Sequence, residues 1–122
     1  MIIGTGIDIV HLPRFEKIVK KWENHFLDRI FTPGEKQYCY RKRDPYTPLA
    51  ARFAAKEAFF KASELKTPPP WHDVEVINEP SGRPVFRLYG NSAATHAKDR
   101  IFLSLSHDGD HAVAQVVIDR EP

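Results

Sequence analysis

The chain is 122 residues long, 42% hydrophobic and 28% charged, proportions that suit one compact domain with a modest core and argue against two independent ones. Eighteen Lys and Arg against sixteen Asp and Glu leave a formal charge of +2, too small an excess to make nucleic acid the expected partner. A single cysteine, Cys39, excludes an internal disulfide, and the apolar runs fall far short of the ~18 residues that span a bilayer.

A reducing compartment and an unanchored, cytoplasmic chain with no membrane partner are therefore expected, the more so because the start MIIGTGIDIV carries Asp8 and no basic leader. The charge is uneven. Residues 1–66 hold thirteen basic and eight acidic side chains and residues 67–122 hold five and eight, so an acidic partner would dock on the first half.

Ile2 to Val10 is rich in β-branched residues and predicts a strand carrying Asp8, with Gly4 and Gly6 where the strand bends or admits a close backbone neighbour. Pro13 suits a first helical turn, and Phe15, Ile18, Val19 and Trp22 follow the spacing of one buried helix face. The other flank bears Arg14, Lys17, Lys20 and Lys21, either a solvated face or a docking surface. Thr32-Pro33-Gly34-Glu35 places a hydroxyl and a carboxylate three apart, the pattern of a capping box, before a helix to about Tyr40. Thr47-Pro48 reads as a second cap, opening a long helix from about Pro48 to Leu65 with high Ala, Leu, Lys and Glu content.

Thr67-Pro68-Pro69-Pro70 cannot continue that helix and turns the chain into a surface connection. Val74–Asn78 and Pro84–Leu88 flank Glu79-Pro80-Ser81-Gly82-Arg83, which spells a hairpin. A short helix near Ser92 to Lys98 follows. Ile101–Ser106 and Ala112–Ile118 then form a second hairpin around His107-Asp108-Gly109-Asp110-His111. With no repeat and no linker, the class is α+β: one long central helix packed on a small, mainly antiparallel sheet.

Chemistry concentrates at few places. On the long helix Phe53, Glu57, Phe60 and Lys61 occupy neighbouring positions, so an acid and an ammonium sit beside aromatic rings; a simple i, i+4 ion pair of Glu57 with Lys61 is the plainer reading. Asp8 lies among Ile7, Ile9 and Val10, where a carboxylate is costly unless paired, protonated or bound to a cation. If Asp8 and Glu57 converge, their hard oxygens suit Mg²⁺, which keeps waters and shares its remaining positions with phosphates; Arg52, Lys56 and Lys61 would then meet diphosphate oxygens. The two histidines of His107–His111 lie between strands, so helical zinc geometry does not apply and a tight turn explains the segment; His107 itself is either a proton shuttle, a phosphate ligand or a turn residue.

Gly4-Thr5-Gly6-Ile7-Asp8-Ile9-Val10, Arg52-Phe53-Ala54-Ala55-Lys56-Glu57-Ala58-Phe59-Phe60-Lys61-Ala62 and Leu103-Ser104-Leu105-Ser106-His107-Asp108 recur in order. Together they closely resemble the signatures of the bacterial holo-(acyl-carrier-protein) synthase family, the short phosphopantetheinyl transferases. Asn78 to Pro84 resembles that family's turn before Gly-Lys-Pro, with Arg83 in place of lysine. The resemblance implies transfer of phosphopantetheine from coenzyme A to a serine of apo acyl carrier protein, releasing adenosine 3′,5′-bisphosphate.

It further implies that Asp8 and Glu57 are magnesium ligands and that Lys61 holds the same phosphates. Arg52, Ser106, His107 and the turn Gly82-Arg83-Pro84 would contact coenzyme A. His107, Asp108 or a magnesium-bound water would take the serine proton. Arg14 and Lys21, with Lys17 and Lys20 less directly, would dock the acidic carrier protein, and the chain would form a homotrimer with coenzyme A between subunits. Two other readings stand beside it: a noncatalytic module whose basic helix binds an acidic protein or RNA, and a metal hydrolase built on His107 and His111. Asp8 and Glu57 have no evident purpose in the module, and its basic residues lack the aromatic interleaving of a nucleic-acid surface.

Overall fold

Alternation along the first strand, β1 (Ile2–His11), sorts its side chains into two sets in the computed structural model, which describes all 122 residues. Gly4, Gly6, Asp8 and Val10 look inward; Ile7 and Ile9 look outward and are 60% and 62% exposed. β1 pairs antiparallel with β5 (His111–Arg120), which pairs antiparallel with β4 (Asp99–Asp108), giving the order β1-β5-β4. The expected turn at Asp108–His111 joins β4 to β5, with Gly109 at φ 56°, a left-handed conformation that favours glycine.

The long helix α3 (Tyr46–Ala62) lies across the inner face of this sheet and buries Ala50, Ala54, Ala55, Ala58 and Ala62 against it and its neighbours. Small residues on both sides allow an unusually close approach. A Cβ added to Gly4 would stand 1.9 Å from the Ala62 carbonyl oxygen, and one on Gly6 2.0 Å from that of Ala58. Strand and helix therefore meet backbone to backbone, as the glycines foreshadowed, and the contact brings the inward face of β1 within reach of α3 side chains.

The helix α1 (Leu12–Ile30) departs from the expected stripe. Phe15 and Val19 are buried as anticipated, but Ile18 is 36% exposed and Trp22 53% exposed. The backbone leaves helical geometry at Glu23 (φ 46°, ψ −129°), so the buried face ends at Val19 and resumes after the break with Leu27 and Ile30. Ile18 and Trp22 stay on the flank beside Arg14, Lys17 and Lys21.

The capping box at the start of α2 (Pro33–Tyr40) is present: the Glu35 amide donates to Thr32 Oγ1 at 3.2 Å and the Thr32 amide donates to Glu35 Oε1 at 2.9 Å. The second expected cap is not formed by Thr47. Pro45 is the cap residue and offers no side-chain bond, while Asp44 before it accepts from the Tyr46 amide at 2.9 Å and the Thr47 hydroxyl at 2.7 Å, and α3 begins two residues earlier than Pro48 suggested. It ends at Ala62 instead of Leu65, because Ser63 turns to extended geometry while its amide still donates to Phe59 and Phe60.

The first hairpin, β2 (Val74–Asn78) with β3 (Pro84–Leu88), has the expected bounds but forms a separate two-stranded sheet. The expected single sheet is thus two, both antiparallel. A short 3-10 turn at Trp71–Asp73 precedes the hairpin and α4 (Gly90–Thr95) follows it, two residues ahead of its anticipated start. No helix is long and apolar enough to cross a membrane.

Candidate active site

Two clefts, which share no lining residue, collect most of the sequence-predicted site residues but not Lys61, Asp108, Lys17 or Lys21. The first follows from the glycine contact. Asp8 on β1 and Glu57 on α3 both line a cleft of about 380 Å³ together with His11, Arg14 and Phe53. Lys61, one helical turn beyond Glu57, reaches across to the strand: its Nζ donates to Asp8 Oδ1 at 3.2 Å and to the Ile7 carbonyl at 2.9 Å. The simple Glu57–Lys61 pair is therefore replaced by a bridge between helix and strand. Burial pushes the Glu57 carboxyl above its ordinary range and the Asp8 charge pushes it the same way, with Lys61 opposing. A carboxylate whose ionisation is opposed by burial and by a neighbouring acid lies at a site that welcomes a cation. A pair of hard carboxylates with open surroundings fits Mg²⁺, which takes one or two carboxylates and keeps its other positions for water and phosphate oxygen. Three or more His, Cys, Asp or Glu side chains converge nowhere in the chain, including at His107–His111.

The second cleft, of about 760 Å³, is lined by Arg52, Gly82, Arg83, Pro84, Ser106 and His107. Arg52 is only 3% exposed, its guanidinium carbon 4.2 Å from the centre of the Tyr38 ring, and its Nη2 donates to Asn78 Oδ1. Asn78 in turn donates to the Gly82 carbonyl at 3.0 Å, which ties the hairpin turn to α3. Arg52 Nε has no partner, and no carboxylate pairs with the guanidinium. A buried arginine so held, beside Lys42 and Arg83 with Asp44 as the lone acid of the lining, is built to meet an anion.

One expectation is corrected. Lys56 does not face a phosphate site: it is 3% exposed, its Nζ donates to Glu35 Oε1 at 2.8 Å and to the Trp71 carbonyl at 3.0 Å, and burial lowers its pKa against the pull of Glu35. The period of α3 turns Lys56 about 100° away from Glu57, toward Glu35 on α2. Glu35, read from sequence only as a cap, also accepts from the Val76 amide at 2.8 Å and so joins α2, α3 and β2. Asp108 is exposed at the end of β4 and lines neither cleft. Lys17 and Lys21 are exposed on α1, and Arg14 lines the acid cleft. Tyr38 and Lys42 line the second cleft without having been singled out in the sequence, and Asn78 was named there only as the start of the Asn78–Pro84 turn. For Lys42 the basic run Arg41-Lys42-Arg43 just after α2 is the available signal.

Comparison with known proteins bears on this arrangement. The family model for the 4′-phosphopantetheinyl transferase superfamily matches residues 4–116. The chain belongs to that superfamily. A curated holo-(acyl-carrier-protein) synthase of Geobacter sulfurreducens is 46% identical over 98% of this chain and 99% of its own length. The crystal structure of the Neisseria meningitidis holo-(acyl-carrier-protein) synthase superposes with a TM-score of 0.88 at 33% identity, covering 98% of this chain and 100% of the other. That of the Helicobacter pylori synthase in complex with coenzyme A gives 0.83 at 32% identity, over 94% and 99%. The α+β fold with its long helix on an antiparallel sheet is thus that of the transferase superfamily, and the chain is a phosphopantetheinyl transferase.

Proposed function

We propose that the chain, over residues 1–122 as one catalytic domain, transfers 4′-phosphopantetheine from coenzyme A to a serine of apo acyl carrier protein in the cytoplasm, with Mg²⁺. The observation that carries this reading is the meeting of Asp8 and Glu57, from distant parts of the chain, beside Lys61. The two carboxylates would hold the ion, which when bound neutralises charge on the diphosphate and its leaving group. Lys61, exposed enough to leave Asp8, would bind the same phosphate oxygens.

The basic cleft would take the nucleotide end, with Arg52 and Arg83 on phosphate and Gly82, Pro84, Ser106 and His107 around it. Its separation from the acid cleft supports a site completed by a second subunit, and the outward Ile7, Ile9 and Phe102 supply an unpartnered apolar sheet face for a homotrimer. The carrier serine would attack the phosphorus next to pantetheine as the bond to adenosine 3′,5′-bisphosphate breaks. Alignment and charge stabilisation supply most of the acceleration in such transfers. His107 and Asp108 remain candidates for the serine proton alongside a metal-bound water. Arg14, Lys17 and Lys21, with Ile18 and Trp22 exposed among them, form a basic and apolar strip suited to an acidic carrier helix.

Incubation with coenzyme A, Mg²⁺ and apo acyl carrier protein should add the mass of one phosphopantetheine to the carrier. An unmodified carrier that nonetheless binds the chain would favour the noncatalytic module instead.

A further inference from the structure

Arg52, Lys56, Glu35 and Asn78 belong to one closed loop of contacts that the reading above leaves in separate pieces. Arg52 and Lys56 lie one turn apart on α3 and so share a helix face. Lys56 Nζ donates to Glu35 Oε1 at 2.8 Å, and Glu35 Oε2 accepts from the Val76 amide at 2.8 Å. Two residues along β2, Asn78 Oδ1 accepts from Arg52 Nη2 and closes the loop. Glu35 is 1% exposed and Arg52 and Lys56 3% each, so its charged members lie out of water.

Stability alone does not account for such a pair. Replacing a buried ion pair by well-packed apolar residues of similar volume is often neutral or stabilising, because desolvation offsets the Coulomb attraction. What the charges add is direction. Glu35 accepts from the Thr32 amide, from Lys56 and from the Val76 amide, and so sets where β2 stands relative to α3. It also offsets the repulsion between the Arg52 and Lys56 cations. Arg52 has no carboxylate of its own, its Nε has no partner, and its guanidinium is held only by Asn78 and the Tyr38 ring. Its aim into the basic cleft therefore depends on where β2 puts Asn78.

We propose that Glu35, which lines neither cleft, is a positioning residue for the basic one: through Lys56 on α3 and Val76 on β2 it sets the Asn78–Arg52 contact, and with it the affinity of that cleft for a phosphate-bearing nucleotide. The inference rests on the proposed reading, in which the basic cleft takes the nucleotide end of coenzyme A. Glu35→Gln separates direction from bulk. The carboxylate meets donors on both oxygens, whereas a glutamine amide has one acceptor oxygen and must turn its NH2 group toward a donor. The Lys56 charge holds the oxygen, so the NH2 group meets the Val76 N–H and β2 is released there. The Thr32 hydroxyl still donates to Glu75, which keeps the hairpin on α2, so Asn78 shifts but does not leave.

The test uses the full chain as wild type, Glu35→Gln, Asn78→Ala and the double variant, each checked by thermal unfolding and titrated with adenosine 3′,5′-bisphosphate by calorimetry well below its midpoint. Glu35→Gln should weaken the bisphosphate by about tenfold, the scale of one charge-assisted hydrogen bond, and Asn78→Ala by a similar factor. Because both act on Arg52 by one route, the double variant should lose about tenfold and no more, whereas independent effects would multiply to about a hundredfold. In transfer from coenzyme A, Glu35→Gln should raise KM by about tenfold and leave kcat within about twofold, since Asp8, Glu57 and Lys61 are untouched. A merely structural Glu35 lowers Tm and leaves bisphosphate affinity within about twofold of wild type, and that result overturns the proposal, as does a loss of about a hundredfold in the double variant. If Glu35→Gln does not fold, Glu35→Asp, which keeps the charge but falls one methylene short of Val76, takes its place with the same expected coupling to Asn78→Ala. Failure of the transferase reading looks different: the wild type itself then neither binds adenosine 3′,5′-bisphosphate nor modifies the carrier, and the proposal falls with it.

Discussion

Replacing Gly6 by alanine perturbs the contact on which the acid pair depends. The new Cβ would lie 2.0 Å from the Ala58 carbonyl oxygen, whereas carbon prefers neighbours at about 3.5 Å, so strand and helix must part by more than about 1 Å. The obstructing atom is backbone in the middle of α3 and cannot swing aside as a side-chain end would. Overpacking a close-packed core costs about 1–3 kcal/mol, and the rigid neighbour puts Gly6→Ala near the upper end. For a chain of this size each kcal/mol moves Tm by roughly 3–5 °C, so a fall on the order of 10 °C is expected. The same displacement carries Asp8 away from Glu57 and Lys61, and a misplacement of about 1 Å costs on the order of a hundredfold in rate. Circular dichroism melts, with transfer assayed well below the variant's midpoint, separate the two losses. Thr5→Ala, on the exposed face of the same strand, should stay within about 0.5 kcal/mol of wild type. A Gly6→Ala protein that melts within about 2 °C of wild type and transfers at full rate would refute the close-contact argument.

Lys56→Met leaves Glu35 buried without its cation and should cost about 3–5 kcal/mol in urea unfolding, while Glu35→Gln combined with Lys56→Met should cost less than the sum of the single changes; strict additivity would count against a coupled pair. Asp99 accepts from Arg120 at 2.7 and 2.9 Å and from His96 at 2.7 Å, and these contacts, Arg120 first, hold its carboxyl down to about 2. A carboxyl depressed in the folded state gives stability present above its unfolded value near ~3.9 and lost as pH falls through about 2, so the wild type should lose stability toward acid more steeply than Asp99→Asn; parallel pH profiles would contradict this. Arg14→Glu should weaken carrier protein binding by about tenfold at low salt, with the gap closing as salt screens the surface, and an unchanged affinity would remove α1 as the docking face.

Local chemistry made much of the fold legible. The capping box, the prolines and the turn formers set the bounds of α2 and the first hairpin, and the glycines of β1 announced a backbone contact. Residues were misread where the deciding partner is distant in sequence. Lys56 looks like any basic helix residue until Glu35 and the Trp71 carbonyl enclose it, and Trp22 fits a buried stripe until the break at Glu23 ends that face. At the site, Asp8, Glu57 and Lys61 were visible as motif members. That Lys61 bridges to Asp8, and not to its helical neighbour Glu57, is a property of the strand–helix approach that spacing cannot carry. Tyr38 escaped notice, and Asn78 was seen only as part of a turn, because both bear on the cleft through Arg52, one stacking on it and the other accepting from it.

The proposed transfer depends on Asp8 and Glu57 acting together, through a divalent ion, on the diphosphate of coenzyme A. Calorimetric titration of coenzyme A with and without Mg²⁺, on the wild type, Asp8→Asn and Glu57→Gln, tests it most directly. Mg²⁺ should tighten binding to the wild type by about tenfold or more, and either substitution should abolish the gain while the protein remains folded. An affinity indifferent to Mg²⁺, or a gain that survives both substitutions, would contradict it.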